Sequence, residues 1–315
     1  MRACPLDLTM ATHERVLVIG AAGMLGHELT DILSADWKLT GVDIGELDIT
    51  DGEGAAAYIM SLRPYAVVNA AARTDVDGCE SDPEGAFAVN ARGAGHVAAA
   101  CGTSASRMIQ ISTDYVFDGL KGEPYRESDR PNPQSVYGRS KLAGEEAVGA
   151  ALSDYLIVRT SWLFGRHGKN FVDTVLKAAS QQSVLEVVGD QYGCPTYARD
   201  LAAGIGALLT TDCRGIVNVT NSGICSWCEY ARAILELAGI NGVRVSEITS
   251  DRLERHAPRP PFSALDGSRY AGLMGAPLRH WREAVGEYIK KKGTGYFFTS
   301  DKAQKGRKGR ARSHR

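Results

Sequence analysis

From residue 15 onward the chain alternates short apolar runs with longer stretches of helical period. "RVLVIG" (15–20) reads as a short buried strand, followed by a helix over 23–34 and a second strand, "KLTGVD" (38–43). "YAVVNAA" (65–71), "RMIQIS" (107–112) and "YLIVRT" (155–160) are further runs rich in β-branched residues, with helical patterns at 52–62, 84–101 and 135–150 between them. Such alternation predicts an α/β fold, a doubly wound parallel sheet covered by helices on both faces. Strands ending in Gly20, Asp43, Asn69 and Ser112 leave functional groups along one edge, where open α/β sheets bind ligands.

Past about residue 160 the alternation loosens. Short strands ("LEVV", "IVNVT", "RVSEI") mix with helices at 169–180, 198–210, 227–239 and 280–291, and a proline-rich loop, "APRPPF", interrupts them. We read 13–160 as a dinucleotide-binding domain and 161–292 as mainly a smaller, interleaved substrate lobe, some segments returning to the sheet. The cleft between the two is the expected active site. Residues 1–12 are expected to be a disordered extension, with Met10 a credible alternative start, and 293–315 a basic disordered tail.

Charge sharpens this division. The formal net charge is −1, but from Lys290 onward ten Lys or Arg face Asp301 alone, about +9, leaving a body near −10. An acidic body argues against a nucleic-acid-binding core. No apolar run approaches the ~20 residues of a membrane span, and the N-terminus lacks the sustained apolar region of a signal peptide. Seven scattered cysteines fit a reducing cytoplasm, which is the expected location. "CSWC" (225–228) is better explained by a capping box, Ser226 with Glu229, than by redox or metal chemistry.

"VLVIGAAGMLGHEL" places Gly20, Gly23 and Gly26 between a strand and a helix. Gly20 permits a sharp turn, Gly23 a close approach of backbone to a pyrophosphate, and Gly26 tight helix–strand packing, while the helix start supplies amide donors. This is a Rossmann-type turn. Asp43, closing the next strand, suits ribose hydroxyls and repels a 2′-phosphate. That leans toward NADH, with NADPH open. Asp48 and Ile49 either border the adenine or belong to the start of the next helix.

"SVYGRSKLAGE" (135–145) sets Tyr137 and Lys141 one helical turn apart on one face. A neighbouring ammonium favours phenolate, so Lys141 is expected to lower the pKa of Tyr137. "ISTDYVFDG" (111–119) ends a strand with Ser112, Thr113 and Asp114. Ketone reduction needs a hydride donor, a proton donor at the oxygen and a second hydrogen bond holding that oxygen. Tyr137 fits the proton donor, Lys141 its partner and the nicotinamide ribose, and Thr113 the second donor. Ser112 points the other way along the strand.

Together these blocks resemble the extended short-chain dehydrogenase/reductases, and within them the dTDP-4-dehydrorhamnose reductase family. The carriers are "GAAGMLG", "LDITD", "VVNAAARTDVDGCESDP", "ISTDYVFDG", "YRESDRPNPQSVYGRSKLAGE", "RTSWLFG", "GKNFVDTVL", "VVGDQYGCPTYARDLA" and "RPPFSAL", spread over about residues 15–290. The resemblance implies that Thr113, Tyr137 and Lys141 are catalytic. It implies cofactor contacts at Gly20, Ala22, Gly23, Met24, Leu25, Gly26, Asp43, Asp48, Ile49, Ala70, Ala71 and Ala72, besides Tyr137 and Lys141. Substrate contacts are implied at Thr113, Asp114, Tyr137, Trp162, Asn170, Gln191, Tyr192 and Arg259. An arginine fork suits a pyrophosphate, which makes Arg259 the preferred anchor.

The activity so implied is reduction of the 4-keto group of dTDP-4-dehydro-β-L-rhamnose by NADPH or NADH, in a monomer or homodimer. Another deoxysugar 4-ketoreductase or epimerase, and a non-catalytic regulatory subunit of methionine adenosyltransferase, share the pattern. Trp162 is either the wall beside the sugar or core filling, and Asp75 and Asp77 either order a loop or cap a helix. Some relatives bridge subunits with Mg²⁺ through glutamates; only Glu28 has a counterpart here, and no metal is assigned. Arg73 and Asp75 depart from the family's usual residues, and the basic tail lies outside its pattern.

Overall fold

Strand β1 (Arg15–Ile19) is fully sandwiched: Val16 and Val18 enter one apolar core and Leu17 and Ile19 another. That double burial is why it reads as a continuous apolar run rather than an alternating one. The structure, a computed structural model, describes residues 14–292, so the expected disordered ends lie outside the described residues. After β1 come α1 (Met24–Leu33), β2 (Lys38–Val42), α2 (Gly52–Leu62) and β3 (Ala66–Asn69). Then follow α3 (Val76–Ser81), α4 (Pro83–Phe87) and a π-helical segment (Ala88–Gly93) that runs into α5 (Ala94–Ser104). β4 (Arg107–Thr113), a 3-10 turn (Asp114–Val116), α6 (Val136–Ala151) and β5 (Tyr155–Thr160) complete the first part.

Beyond it lie β6 (Leu163–Phe164), α7 (Phe171–Ala179), β7 (Val184–Val188), β8 (Tyr192–Gly193), β9 (Thr196–Tyr197) and α8 (Ala198–Leu209). β10 (Gly215–Asn218), β11 (Cys225–Ser226), α9 (Trp227–Leu237), β12 (Arg244–Ile248), α10 (Ser268–Met274) and α11 (Trp281–Lys292) close the described chain. Helix starts follow their caps. Asp51 accepts from Gly54 N at 3.1 Å before α2, and Ser135 from Gly138 N at 3.1 Å before α6. The expected capping box is present: Ser226 Oγ accepts from Glu229 N at 3.1 Å, and Glu229 accepts from Ser226 N at 2.8 Å.

Six parallel strands run in the order β10-β5-β4-β3-β1-β2. The chain reverses direction across the sheet between β1 and β3, and the crevice beyond their carboxyl ends is the expected ligand position. α1 and α8 cover one face; α2, α5 and α6 cover the other. Each large side chain fully buried there, such as Leu17 or Ile59, contributes roughly 1.5–3 kcal/mol. A separate core gathers Phe164, Val172, Leu176, Tyr230, Ile234, Trp281 and Tyr288 between α7, α9 and α11, beside the parallel pair β7 and β12.

Two details differ from the sequence reading. "IVNVT", grouped with the short strands of the smaller lobe, supplies β10 at the edge of the main sheet, paired with β5. The helical pattern at 84–101 is divided into α4, the π segment and α5. Inside the π segment Asn90 is buried and bonds twice to Arg73, its Oδ1 accepting from Arg73 N (2.8 Å) and its Nδ2 donating to Arg73 O (3.0 Å). The extra residue per turn re-aims one side chain, a common use of such segments near functional sites.

Candidate active site

The turn after β1 has the geometry that a dinucleotide needs. Gly20 sits at φ +82°, and a Cβ there would lie 2.7 Å from Ala71 N. A Cβ on Gly26 would lie 2.0 Å from Gly20 O, so only glycine lets α1 approach the turn this closely. No side chain caps the N-terminus of α1, so its first amides are available to an anion. Asp43 accepts from Ala22 N at 2.9 Å and from Ile44 N at 2.8 Å, which ties the end of β2 to the glycine turn. A cavity of about 480 Å³ opens here, lined by Gly20, Ala22, Gly23, Asp43, Asp48, Ile49, Ala70, Ala71 and Ala72 among others. Asp48 lines it while accepting from Thr50 N (2.9 Å) and Thr50 Oγ1 (2.7 Å); the cap of α2 is Asp51.

A second cavity, about 430 Å³, shares Gly23, Ala70 and Ala72 with the first and continues toward the smaller lobe. Met24, Leu25, Gly26, Thr113, Asp114, Tyr137, Lys141 and Trp162 all line it. The turn residues and the three candidate catalytic side chains thus face two adjoining cavities that share Gly23, Ala70 and Ala72. Tyr137 and Lys141 come from α6, whose start is fixed by Ser135, and Thr113 ends β4. Ser112, one residue earlier, donates to buried Glu145 at 2.5 Å, so its hydroxyl is used away from the reaction. Thr113 Oγ1 and Asp114 Oδ1 are in hydrogen-bond contact at 3.1 Å, and Thr113 Oγ1 accepts from Tyr115 N at 3.2 Å.

The expected effect of Lys141 on Tyr137 needs correction. Burial dominates and pushes the phenol above its ordinary value, with only the Thr113 hydrogen bond pulling it down. Burial also lowers the Lys141 ammonium, to about 8, against the opposing charge of Glu145. Lys141 Nζ donates to Ile111 O at 2.6 Å. Asp114 is 2% exposed, and burial raises its carboxyl to about 7 while hydrogen bonds from Ser263 and Thr113 act in the other direction.

The substrate-side candidates divide. Trp162 lies in the crevice, held in the left-handed region at φ +47°, where a bulky residue is rare. Its ring stacks on Trp227, centroids 3.5 Å apart and planes 8° from parallel, so it serves as wall as well as packing. Asn170 is turned away: it caps α7, accepting from Asp173 N, and donates to Gly165 O and Tyr288 Oη. Gln191, Tyr192 and Arg259 do not line either cavity. Gln191 is buried, and Tyr192 packs against Phe262 with ring centroids 6.2 Å apart. The Arg259 fork is not open as expected. Both its arms donate to Asp77, at 2.6 Å each, holding that carboxyl well below the usual range. Asp77 therefore orders the loop and Asp75 caps α3, accepting from Gly78 N.

Several lining residues carry no signal in the sequence. Trp227 and Val76 appear there only as the first residues of α9 and α3, and Thr74, Tyr115 and Lys169 as loop or turn residues. Exposed Ile44, beside Asp43, lines the adenosine end. Glu28 is 3% exposed and accepts from Arg199 at 3.0 Å.

Residues 14–293 match the family described as the RmlD substrate binding domain. The chain is 44% identical over 280 residues to a dTDP-4-dehydrorhamnose reductase of Streptomyces griseus, covering 87% of this chain and 92% of that one. It is 40% identical over 276 residues to a dTDP-4-keto-6-deoxy-D-glucose reductase of Streptomyces niveus, covering 86% and 95%. The crystal structure of a dTDP-4-dehydrorhamnose reductase from Bacillus anthracis in complex with NADP superposes with a TM-score of 0.86 at 35% identity, covering 89% of this chain and all of that one.

Proposed function

The chain belongs to the RmlD substrate binding domain family, and on that premise we propose that it reduces the 4-keto group of dTDP-4-dehydro-β-L-rhamnose with NADH or NADPH to give dTDP-L-rhamnose. The observation that carries this is the second cavity, which Gly23 and Gly26 of the turn line together with Thr113, Tyr137 and Lys141. Gly20, Gly23, Gly26 and the uncapped start of α1 suit the pyrophosphate of the dinucleotide, and Asp43 its adenosine ribose. When bound, that cofactor supplies the hydride.

The chain's own residues do the rest. Burial keeps Tyr137 protonated at neutral pH, which suits a group that must give a proton to the oxygen of the reduced ketone. Below about pH 8 Lys141 is an ammonium, and as negative charge develops on the phenol it stabilises that charge. The Thr113 hydroxyl holds the same oxygen from a second side. Trp162 and Trp227 close the smaller lobe over the sugar and exclude water. Arg259 is the favoured anchor for the diphosphate, a role in which its fork exchanges Asp77 for the phosphate oxygens.

No described helix is long and apolar enough to cross a membrane. We place the protein in the cytoplasm, in keeping with the six described free cysteines and a dinucleotide-dependent reaction. We infer a monomer or homodimer. A second reading, reduction of another dTDP-4-keto-6-deoxyhexose, draws on the likeness to the Streptomyces niveus reductase. One assay separates them: purified protein, NADH or NADPH, and the 4-keto-6-deoxyhexose with and without a 3,5-epimerase. Cofactor oxidation only with the epimerase supports the first reading, oxidation without it the second, and none with either cofactor rejects both.

A further inference from the structure

Thr113 has been assigned a hydrogen bond to the substrate oxygen, yet its surroundings compete for the one proton it has. A threonine hydroxyl carries a single donor and two acceptor lone pairs. Tyr115 N–H fills one lone pair at 3.2 Å. Asp114 Oδ1 lies 3.1 Å from Oγ1, and the Tyr137 phenol shares a hydrogen bond with the same hydroxyl. With Asp114 ionised, the carboxylate is the strongest acceptor in reach and takes the threonine proton. The second lone pair can then accept the Tyr137 O–H, but no proton is left for a carbonyl oxygen. With Asp114 neutral, its own O–H fills the second lone pair, and the threonine proton is free to point into the crevice. Only the second arrangement leaves Thr113 a proton to give to the substrate oxygen.

The setting of Asp114 suits the neutral form. It is 2% exposed, and Ser263 Oγ, from the loop after β12, donates to its other oxygen at 2.5 Å. No Lys or Arg among the described residues forms an ion pair with it. A buried carboxyl without a cation is disfavoured as an anion. The titratable groups that influence or are influenced by Asp114 are Tyr115 on the same turn, Tyr137 on α6 and Cys194 before β9. All three are neutral near pH 7, because burial pushes each of them up. Arg255 and Arg259 act on Tyr115, and Lys141 lies one turn beyond Tyr137 on α6.

We propose that Asp114 works as a neutral acid that donates a hydrogen bond to Thr113 Oγ1 and thereby turns the threonine proton toward the carbonyl oxygen of the substrate. Asp114 is a positioning residue in this role. No proton leaves it during turnover; the proton that ends on the product oxygen comes from Tyr137. The inference rests on the reductase reading above, and the pKa of the buried carboxyl, raised to about 7, agrees with it.

Asparagine is the informative substitution, since its amide N–H can donate to Thr113 at any pH while its oxygen accepts from Ser263. Two measurements test the proposal. Infrared difference spectra of wild type against Asp114→Asn, taken without substrate, should contain a protonated-carboxyl C=O band at pH 6 that is gone by pH 9. In steady-state kinetics from pH 6 to 9, wild type should lose rate as Asp114 ionises. Asp114→Asn should lower kcat by no more than about tenfold at pH 6 and lack that decline, while Asp114→Ala should fall ~10²-fold at pH 6. Titration of Lys141 is common to wild type and Asp114→Asn, so the difference between their profiles isolates Asp114. Absence of the infrared band at pH 6, superimposable profiles for wild type and Asp114→Asn, or Asp114→Asn as slow as Asp114→Ala would each overturn the proposal. A wild type that oxidises neither cofactor counts against the reductase reading alone; the infrared band still decides the state of Asp114.

Discussion

Replacing Glu145 by glutamine should damage both the stability of the sheet and the charge of Lys141, the proposed partner of Tyr137. Glu145 stands one turn beyond Lys141 on α6, and its carboxylate accepts from Arg159 Nε at 2.8 Å, Arg159 Nη2 at 2.6 Å and Ser112 Oγ at 2.5 Å. The Arg159 and Glu145 side chains are 1% and 4% exposed, so neither is screened by water. The guanidinium also lies over the Phe117 ring, 5.1 Å from its centroid. Glutamine keeps the volume of Glu145 and removes its charge, stranding Arg159 as an unpaired buried cation. Breaking a buried pair in this way costs about 3–5 kcal/mol, a large part of the ~5–15 kcal/mol that stabilises a typical domain.

The same change acts on Lys141. Its ammonium is already lowered to about 8 by burial, and the charge of Glu145 is what opposes that shift. A lysine is charged below its pKa and neutral above it, so removing Glu145 moves the loss of activity at rising pH toward lower pH. Replacing both partners by methionine should return stability to within about 1–2 kcal/mol of wild type, because an apolar pair avoids the desolvation penalty. It should not restore the pH limb. Urea unfolding and NADH oxidation from pH 6 to 9 measure the two effects separately. A Glu145→Gln variant within about 1 kcal/mol of wild type, with an unshifted limb, would refute this account of the α6–β5 junction.

Tyr137→Phe should slow turnover ~10²–10⁴-fold by removing the proton donor, while fluorescence titration shows NADH binding unchanged. Asp43→Asn should shift the ratio of kcat/KM for NADPH over NADH upward about ten- to a hundredfold, as expected if this carboxylate beside the glycine turn repels a 2′-phosphate; an unchanged ratio counts against that assignment. Arg259→Met should raise KM for the nucleotide sugar roughly ten- to a hundredfold with little change in NADH affinity, as expected for a charged anchor of a diphosphate. Equal KM values would place Arg259 in loop structure alone.

The sheet was legible because its central strands are buried on both faces and so leave uninterrupted apolar runs; the run at 15–20 appears as β1 and that at 155–160 as β5. The glycine turn was legible because its requirement is steric and local: Gly26 has no room for a Cβ. The 84–101 segment was not, since periodicity does not separate an α-helix from one with a π segment in its middle. Arg259 was assigned an open fork because its partner, Asp77, lies 182 positions away along the chain and meets it only in the folded protein. Burial likewise reversed the expectation for Tyr137, whose polar neighbours are visible in the sequence while its enclosure is not. Trp227 escaped notice for the same reason. Its capping box was clear, but its stacking on Trp162 depends on two distant loops meeting.

The most direct test of the central claim follows the hydride. The protein should be given NADH carrying deuterium in the transferable position, together with the epimerised dTDP-4-keto-6-deoxyhexose, and the product sugar examined by NMR. The account predicts deuterium on C4 of the product for wild type, and the same position labelled ~10²–10⁴-fold more slowly with Tyr137→Phe. A label at any other carbon, or product formed without label, would contradict it.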